Sequence, residues 1–431
     1  MQYIYKGVVA LSPIIVLLTI YLAGSIVAGD FYRIPIAVAF MVASVYAIAI
    51  SRGETLNNRI DNFSNGAANP RIMYMIWIFV LAGAFAALAK AMGAVDSTVG
   101  ITLNLIPGNF LPAGIFIASC FISMSIGTSV GTIVALTPVV TALAAQMNCD
   151  IAWLVAIVVG GAFFGDNLSF ISDTTIAATQ TQGCSMRSKF RTNLALVLPA
   201  AFITLLIYAF SGNSIEEIET QAVTMTDIIK CLPYIIVIVT ALLGVNVLLV
   251  LIIGIITAGT IGLATGSIGN ISIFTEMGGG IMGMCELIIV TMLAGGLLEI
   301  VRLNGGIDFL IRITTFRVRS KRAAEGSITM LTAMANICTA NNTIAILTVG
   351  DISRDISKRF GISPKRAASL MDTTSCFVQG VIPYGAQLLM ASGLAKISPL
   401  AIIPNLYYPM LIGLSIVISI LIKKRRSHTQ A

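Results

Sequence analysis

Apolar runs of about 17–25 residues, the length that crosses a bilayer, recur along the whole chain and are separated by short polar loops. In the first half they fall near 8–28, 34–50 and 71–92. A longer segment at 113–147 is interrupted by polar residues, a run is broken at 165–172, and a last run covers 192–211. The second half repeats the order, with runs near 227–243, 246–265 and 284–303. A segment at 326–350 interrupted at "TANNT", a run broken around 378–384 and a final run at 401–422 complete it. Of the 431 residues, 57% are hydrophobic and 10% charged, with a mean hydropathy of +0.94. Soluble domains carry about 25% charged residues, so the pattern predicts an all-α polytopic membrane protein. The first run, behind Lys6, is too long for a signal-peptide core and is expected to be retained.

The halves resemble each other residue by residue. "GAFAALAKAMGAVD" (83–96) aligns with "GGLLEIVRLNGGID" (295–308), pairing Gly83 with Gly295, Lys90 with Arg302, Gly93 with Gly305 and Asp96 with Asp308. "DNLS" (166–169) recurs as "DTTS" (372–375), and "GTS" (127–129) falls opposite "NNT" (341–343). Such self-similarity points to duplication. The expected organisation is a first repeat at 1–211, an acidic external linker at 212–226 and a second repeat at 227–431. If the interrupted segments are re-entrant hairpins, each half crosses five times, and an odd count inverts one half relative to the other.

Charge placement agrees with that count. With the tail "KKRR" (423–426) in the cytoplasm, the basic clusters at 304–325, at 351–366 and at Arg187, Lys189 and Arg191 all fall inside. So do Lys6, Arg52, Arg59 and Arg71, while the loop carrying Glu216, Glu217 and Glu219 falls outside. This is the positive-inside pattern; the net charge of +7 therefore reads as topology, not as a nucleic-acid surface. Both termini are expected in the cytoplasm.

Several chemistries have no residues to carry them. The only histidine, His428, lies in the tail, and the seven cysteines (120, 149, 184, 231, 285, 338, 376) are scattered without a CxxC pair. No GxxxxGK[ST] occurs, and the GxGxxG at Gly278, Gly280 and Gly283 precedes an apolar run instead of following a strand. It is expected to be a flexible turn. No cofactor is expected, and an enzyme would need a nucleophile with a base or a metal cluster that the chain does not offer.

Polar residues concentrate at four matched interruptions: "SIGTSVGT" (125–132), "GDNLSFIS" (165–172), "TANNT" (339–343) and "DTTSCFVQGVIPYG" (372–385). Irregular backbone at membrane depth survives only where protein buries it or a watery cavity receives it, and broken helices there present ends and free carbonyls to ions. Asp166 is the leading candidate, a carboxylate able to take Na+ or H+ in competition. Asp173 is a second, or the cap of the half-helix that follows. Thr128, Ser129, Ser169, Thr174, Asn341, Asn342, Thr343, Asp372, Ser375 and Gln379 complete the expected ion or substrate site, with helix-end roles as the competing reading for Asp372 and the asparagines. Glu299 is a candidate for a proton path or a pair with Arg302 at i+3. Lys90 and Arg302 are expected to snorkel, and Tyr407 and Tyr408 to form an interfacial belt.

"GDNLSFISDTT" (165–175) resembles the GDxxSPxSDTT signature of the NhaC-type sodium/proton antiporter family. "DTTSCFVQGVIPYGAQLL" (372–389) is similar to the family's second-half motif and "GGLLE" (295–299) to a third. Asn167 stands where that family commonly has lysine, Phe170 where it has proline and Ile176 where it often has asparagine. The likeness spans most of the chain. It implies the ion-transporter superfamily fold, with two inverted repeats, two hairpins, often a homodimer, and residence in a prokaryotic cytoplasmic membrane. It further implies small ions as substrates, exchanged as Na+ for H+. The alternative is a Na+- or H+-coupled carrier of an amino acid or small carboxylate, since the family also resembles carriers of organic solutes.

Overall fold

A computed structural model of the chain describes residues 2–23, 35–51, 55–105, 110–169, 172–211, 223–243, 245–315 and 318–422, and every regular element among them is helical. The glutamates of the acidic linker, the basic tail, Arg52, Phe170 and Ile171 lie outside the described residues. The first half runs through α1 (Gln2–Leu18, continued by a π turn at Thr19–Ala23), α2 (Ile36–Ile50), α3 (Leu56–Ala67), α4 (Pro70–Ala91) and α5 (Ala94–Leu105). It continues with α6 (Leu111–Ile126), α7 (Ser129–Gln146), α8 (Ile151–Leu168), α9 (Asp173–Gln182) and α10 (Met186–Ser211). The second half comprises α11 (Met225–Leu242), α12 (Val247–Ala264), α13 (Ser272–Met282), α14 (Cys285–Leu303) and α15 (Gly306–Thr315). Then come α16 (Lys321–Thr339), α17 (Asn342–Arg359), α18 (Pro364–Gln379), α19 (Ala386–Ala395), the short α20 (Pro399–Ile402) and α21 (Tyr407–Ile422).

Among the described residues six helical stretches are long and apolar enough to cross a membrane: Ile72–Ala91, Ser129–Gln146, Ile151–Gln182, Met186–Ser211, Val247–Ala264 and Ser272–Leu303. A seventh is the pair Ala386–Ala395 and Pro399–Asn405, bent by 101°. Trp77, Phe202 and Phe210 are exposed on the outer helices, a placement that suits lipid and not water. The chain is a multi-pass membrane protein. At its centre is the stretch Ile151–Gln182, whose apolar 18-residue window is 94% buried within the protein. Small residues let α8 lie close to α6: a side chain on Gly161 would strike Ser119, one on Gly165 would strike Ser123, and Ser123 Oγ donates to Ala162 O at 2.7 Å.

The interruptions foreseen in the sequence are real breaks in helix, although α8 continues regularly to Leu168, with Ser169 as its C-cap and Ser172 as the N-cap of α9. The hairpin turns of the two halves share one backbone geometry. Gly127 (φ 75°) precedes an extended Thr128 (φ −147°, ψ 125°), and Ala340 (φ 50°) precedes an extended Asn341 (φ −146°, ψ 124°). Ala340 adopts the left-handed conformation at a cost of about 1–2 kcal/mol. Gly93 and Gly305 likewise share φ values of 81° and 82°.

Packing between the halves follows the same correspondence. α3 packs on α14 as α13 packs on α4, and α9 packs on α17 as α19 packs on α7. Glycine meets glycine in the first of these pairs: Gly66 lies against Gly295, and Gly280 against Gly83. The glycines at 278–280 are therefore part of helix α13 and not a flexible turn, and Gly280 is the one that meets α4, because losing its side chain lets the two backbones touch. Gly83→Val would bring a Cβ to 2.5 Å from Gly280 O and should cost about 1–3 kcal/mol. Its unfolding midpoint in detergent should drop, whereas Gly100→Ala, with open space around it, should leave the midpoint unchanged.

Candidate functional site

Four helix N-termini meet around a cavity of about 410 Å³. Its wall comes from Thr128 and Ser129 at the start of α7, Ser172, Asp173 and Thr174 at the start of α9, Asn341, Asn342 and Thr343 at the start of α17, and Ala386 and Gln387 at the start of α19. Tyr74, Met75 and Ile78 of α4 form an apolar side. Only α17 is capped by a side chain here, through Asn341 Oδ1 accepting from Ile344 N–H at 3.0 Å. Thr128, Ser172 and Gly385 make no side-chain cap; at α7 Asp166 accepts from Ser129 N–H instead, so among the described residues it is the starts of α9 and α19 that offer uncapped N–H donors to whatever fills the cavity.

Asp166 stands on the last turn of α8 and is 3% exposed. Its Oδ1 accepts from Ser129 N–H at 3.0 Å and from Ser172 Oγ at 3.5 Å. Among the described residues it forms no ion pair. Ser129 Oγ accepts from Gln387 Nε2 at 3.0 Å, so the carboxylate is tied through one serine to the other half. Asp173 also lines the cavity but is exposed. It occupies the first helical position of α9, where a negative charge suits the helix dipole, and Ser172 is the N-cap residue.

Of the residues singled out in the sequence, the cavity collects Asp166, Asp173, Thr174, Thr128, Ser129, Asn341, Asn342 and Thr343. Ser169, Asp372, Ser375 and Gln379 are not on its wall. Ser169 Oγ donates to Met124 O at 2.8 Å, closing the end of α8 on α6. α18 runs unbroken to Gln379, which directs its polar residues into helix packing instead. Ser375 Oγ donates to Asp372 O at 2.8 Å, and Gln379 Nε2 to Asn336 Oδ1 at 2.9 Å. Glu299 is held by Arg302 at 2.7 Å and lines a separate recess of about 210 Å³ with Gly66, Asn69 and Thr348.

Asp372 is fully buried and paired with Lys189 at 2.7 Å, with Asn193 Nδ2 donating to the same oxygen at 2.8 Å. Sequence reasoning placed Lys189 with Arg187 and Arg191 in a cytoplasmic loop. The helix instead begins at Met186, so Lys189 lies a turn inside it, facing the core, while its two basic neighbours are exposed. The available signal was Asn193, four residues on and hence on the same face. Arg366, expected in a cytoplasmic loop, is likewise buried, with Nη2 2.9 Å from Glu325 Oε2 and 2.8 Å from Ser419 Oγ. Tyr408 is no interfacial belt: it is buried, and its hydroxyl accepts from Asn167 Nδ2 at 2.9 Å. Ser172 and Gln387 were also missed, being single polar residues at the edges of longer motifs.

A polytopic helical chain that gathers half-helix ends and one unpaired buried carboxylate around a cavity has the build of a secondary transporter, not of an enzyme. The chain belongs to the Na+/H+ antiporter family, whose sequence profile matches residues 2–213 and again residues 214–423. It is similar to the Na(+)/H(+) antiporter NhaC of Bacillus subtilis, with 23% identity over 84% of this chain and 85% of that protein. It is also similar to the malate-2H(+)/Na(+)-lactate antiporter of the same organism, with 24% identity over 94% of each chain. Among solved structures it resembles the YdaH transporter of Alcanivorax borkumensis, with 12% identity, a TM-score of 0.42, and coverage of 84% of this chain and 86% of that one.

The two aspartates outside and inside the ion pair should behave oppositely on neutralisation. Asp372→Asn strands a buried ammonium and should cost about 3–5 kcal/mol. Asp173→Asn, at an exposed position, should move the unfolding midpoint little, as thermal unfolding of the purified variants will read.

Proposed function

We propose that this chain exchanges Na+ for H+ across a bacterial cytoplasmic membrane, with Asp166 as the carboxylate that both ions occupy in turn. The observation that carries this reading is a buried carboxylate on a cavity wall that, among the described residues, has no cationic side chain bound to it, in a member of a family named for this exchange. Na+ is a hard cation and favours oxygen ligands. Asp166 together with the oxygens of Ser129, Ser172, Thr174 and Asn342 around the cavity offers carboxylate, hydroxyl and amide oxygen. A proton and a sodium ion cannot both neutralise the same oxygen, so each release prepares the binding of the other. Asp372, already neutralised by Lys189, takes no part in that competition.

Alternating access is supplied, in this reading, by two inverted repeats of five crossings, each with a re-entrant hairpin and a broken helix. Support comes from the two successive family matches, the shared turn dihedrals and the reciprocal packing of α3 on α14 and α13 on α4. Both termini lie in the cytoplasm in this reading, which the positions of the basic loops support. One observation favours a second reading. A cavity of about 410 Å³ holds about a dozen waters at about 30 Å³ each, far more room than Na+ requires. Uncapped helix N-termini on its wall suit a carboxylate, and one relative is named for malate and lactate. Coupled transport of an amino acid or small carboxylate is the corresponding function.

Proteoliposomes with an imposed pH gradient separate the readings. Sodium should collapse the gradient; uptake of amino acids or dicarboxylates with no response to sodium would replace exchange with solute transport. Asp166→Asn should abolish exchange while retaining the wild-type elution profile and helical content, and full activity in that variant would remove the proposed site. Because proton and sodium compete for one group, the apparent Na+ affinity should weaken by up to about tenfold per unit of falling pH. A pH-independent half-saturation would contradict a shared carboxylate.

A further inference from the structure

The surroundings of Lys189 are those of a cation site, not of an ordinary ion pair. Its ammonium lies 2.7 Å from Asp372 Oδ2, 3.0 Å from Asn167 O and 2.7 Å from Thr175 Oγ1. The three oxygens come from the end of α8, from α9 across the break, and from α18 of the other half. They are a carbonyl, a hydroxyl and a carboxylate, the ligand types that take hard cations, and they use all three N–H donors of the lysine. Three further buried oxygens have no partner: Asp372 Oδ1 and Asn167 Oδ1 on the same residues, and Oδ1 of Asn193, whose Nδ2 donates to both. These six oxygens, on four residues, outnumber the three N–H donors of one ammonium, an excess of acceptors that a lone salt bridge does not require.

We propose that this cluster is a second monovalent-cation site, permanently filled by the side chain of Lys189. The lysine stands in for a mobile ion: it neutralises Asp372 and the freed carbonyl of Asn167 from within, leaving Asp166 as the position for a transported cation. An inorganic cation should therefore bind where the ammonium is removed. Asn193 Nδ2, which donates to Asn167 O at 2.8 Å and to Asp372, keeps the oxygens in place when the lysine is shortened of its charge. Lys189→Met preserves most of the volume and opens the position.

The test is thermal unfolding of the detergent-purified protein in choline chloride, NaCl and KCl at equal ionic strength. A ligand that binds only the folded state raises the midpoint. Lys189→Met should melt below wild type in choline and gain at least twice the wild-type increment on transfer to NaCl or KCl; the more effective salt identifies the preferred ion. Adding Asp372→Asn should remove the excess. Equal increments in wild type and Lys189→Met, or an excess that survives Asp372→Asn, overturns the proposal. If Lys189→Met does not withstand purification in choline, membranes are extracted in each salt and examined by fluorescence-detected size exclusion. A monodisperse peak recovered by Na+ or K+ and not by choline supports the site, and failure in every salt overturns it. The proposal builds on Asp166 as the exchanging carboxylate only for its functional meaning. The melting measurement involves no transport, so loss of the exchange reading and loss of the cation site are told apart.

Discussion

A helix interrupted inside a bilayer exposes N–H and C=O groups that water cannot reach, and each one left unpaired costs several kcal/mol. The remaining features of this protein follow from how its four interruptions are satisfied. Asn167 O, freed at the end of α8, receives Lys189 and Asn193; Asp166 O receives the hydroxyls of Thr174 and Thr175 at 3.4 Å each. In the second half Asn336 Nδ2 donates to Ser375 O, and the Tyr384 hydroxyl donates to Ile337 O. The polar residues that make the breaks tolerable are thus largely the ones that satisfy them. The N-termini of α9 and α19, which no side chain caps among the described residues, open onto the cavity, while that of α7 is met by Asp166.

This constraint sorts the three aspartates of the two motifs. Asp372 is consumed by an internal cation and by Asn193, which fixes α18 to α10. Asp173 sits where a helix start favours a carboxylate whatever else it does. Asp166 is the one that is buried, anchored by a single backbone N–H and a long hydroxyl contact, and open to the cavity. A carboxylate held so lightly can change partners without dismantling the packing around it. The ion pair of Lys189 and Asp372, by contrast, cannot open without leaving two charges inside the protein.

Much of this was legible in the sequence because hydrophobic spans and polar interruptions are local signals. The turns at Gly127–Thr128 and Ala340–Asn341 and the break after Leu168 fell where the pattern put them, and residues of "GTS", "SDTT" and "ANNT" line one cavity. What failed depended on partners distant in the chain. Lys189 reads as one of three basic residues in a loop until the helix is seen to start at Met186, which turns it inward. Tyr408 reads as an interfacial aromatic until Asn167, 241 residues away, meets its hydroxyl. Gly280 reads as flexible until Gly83 is found against it. In each case composition identified the residue type and tertiary packing decided its role.

The central claim is that one carboxylate alternates between proton and sodium, and proton release on sodium binding tests it without membranes or gradients. Detergent-solubilised protein in unbuffered solution with a pH-indicating dye, started at a pH where the site is protonated, is titrated with NaCl against a choline chloride control. The account predicts release approaching about one proton per chain, saturating with Na+ and absent in Asp166→Asn. Release of the same size in that variant, or none in the wild-type protein, would contradict it.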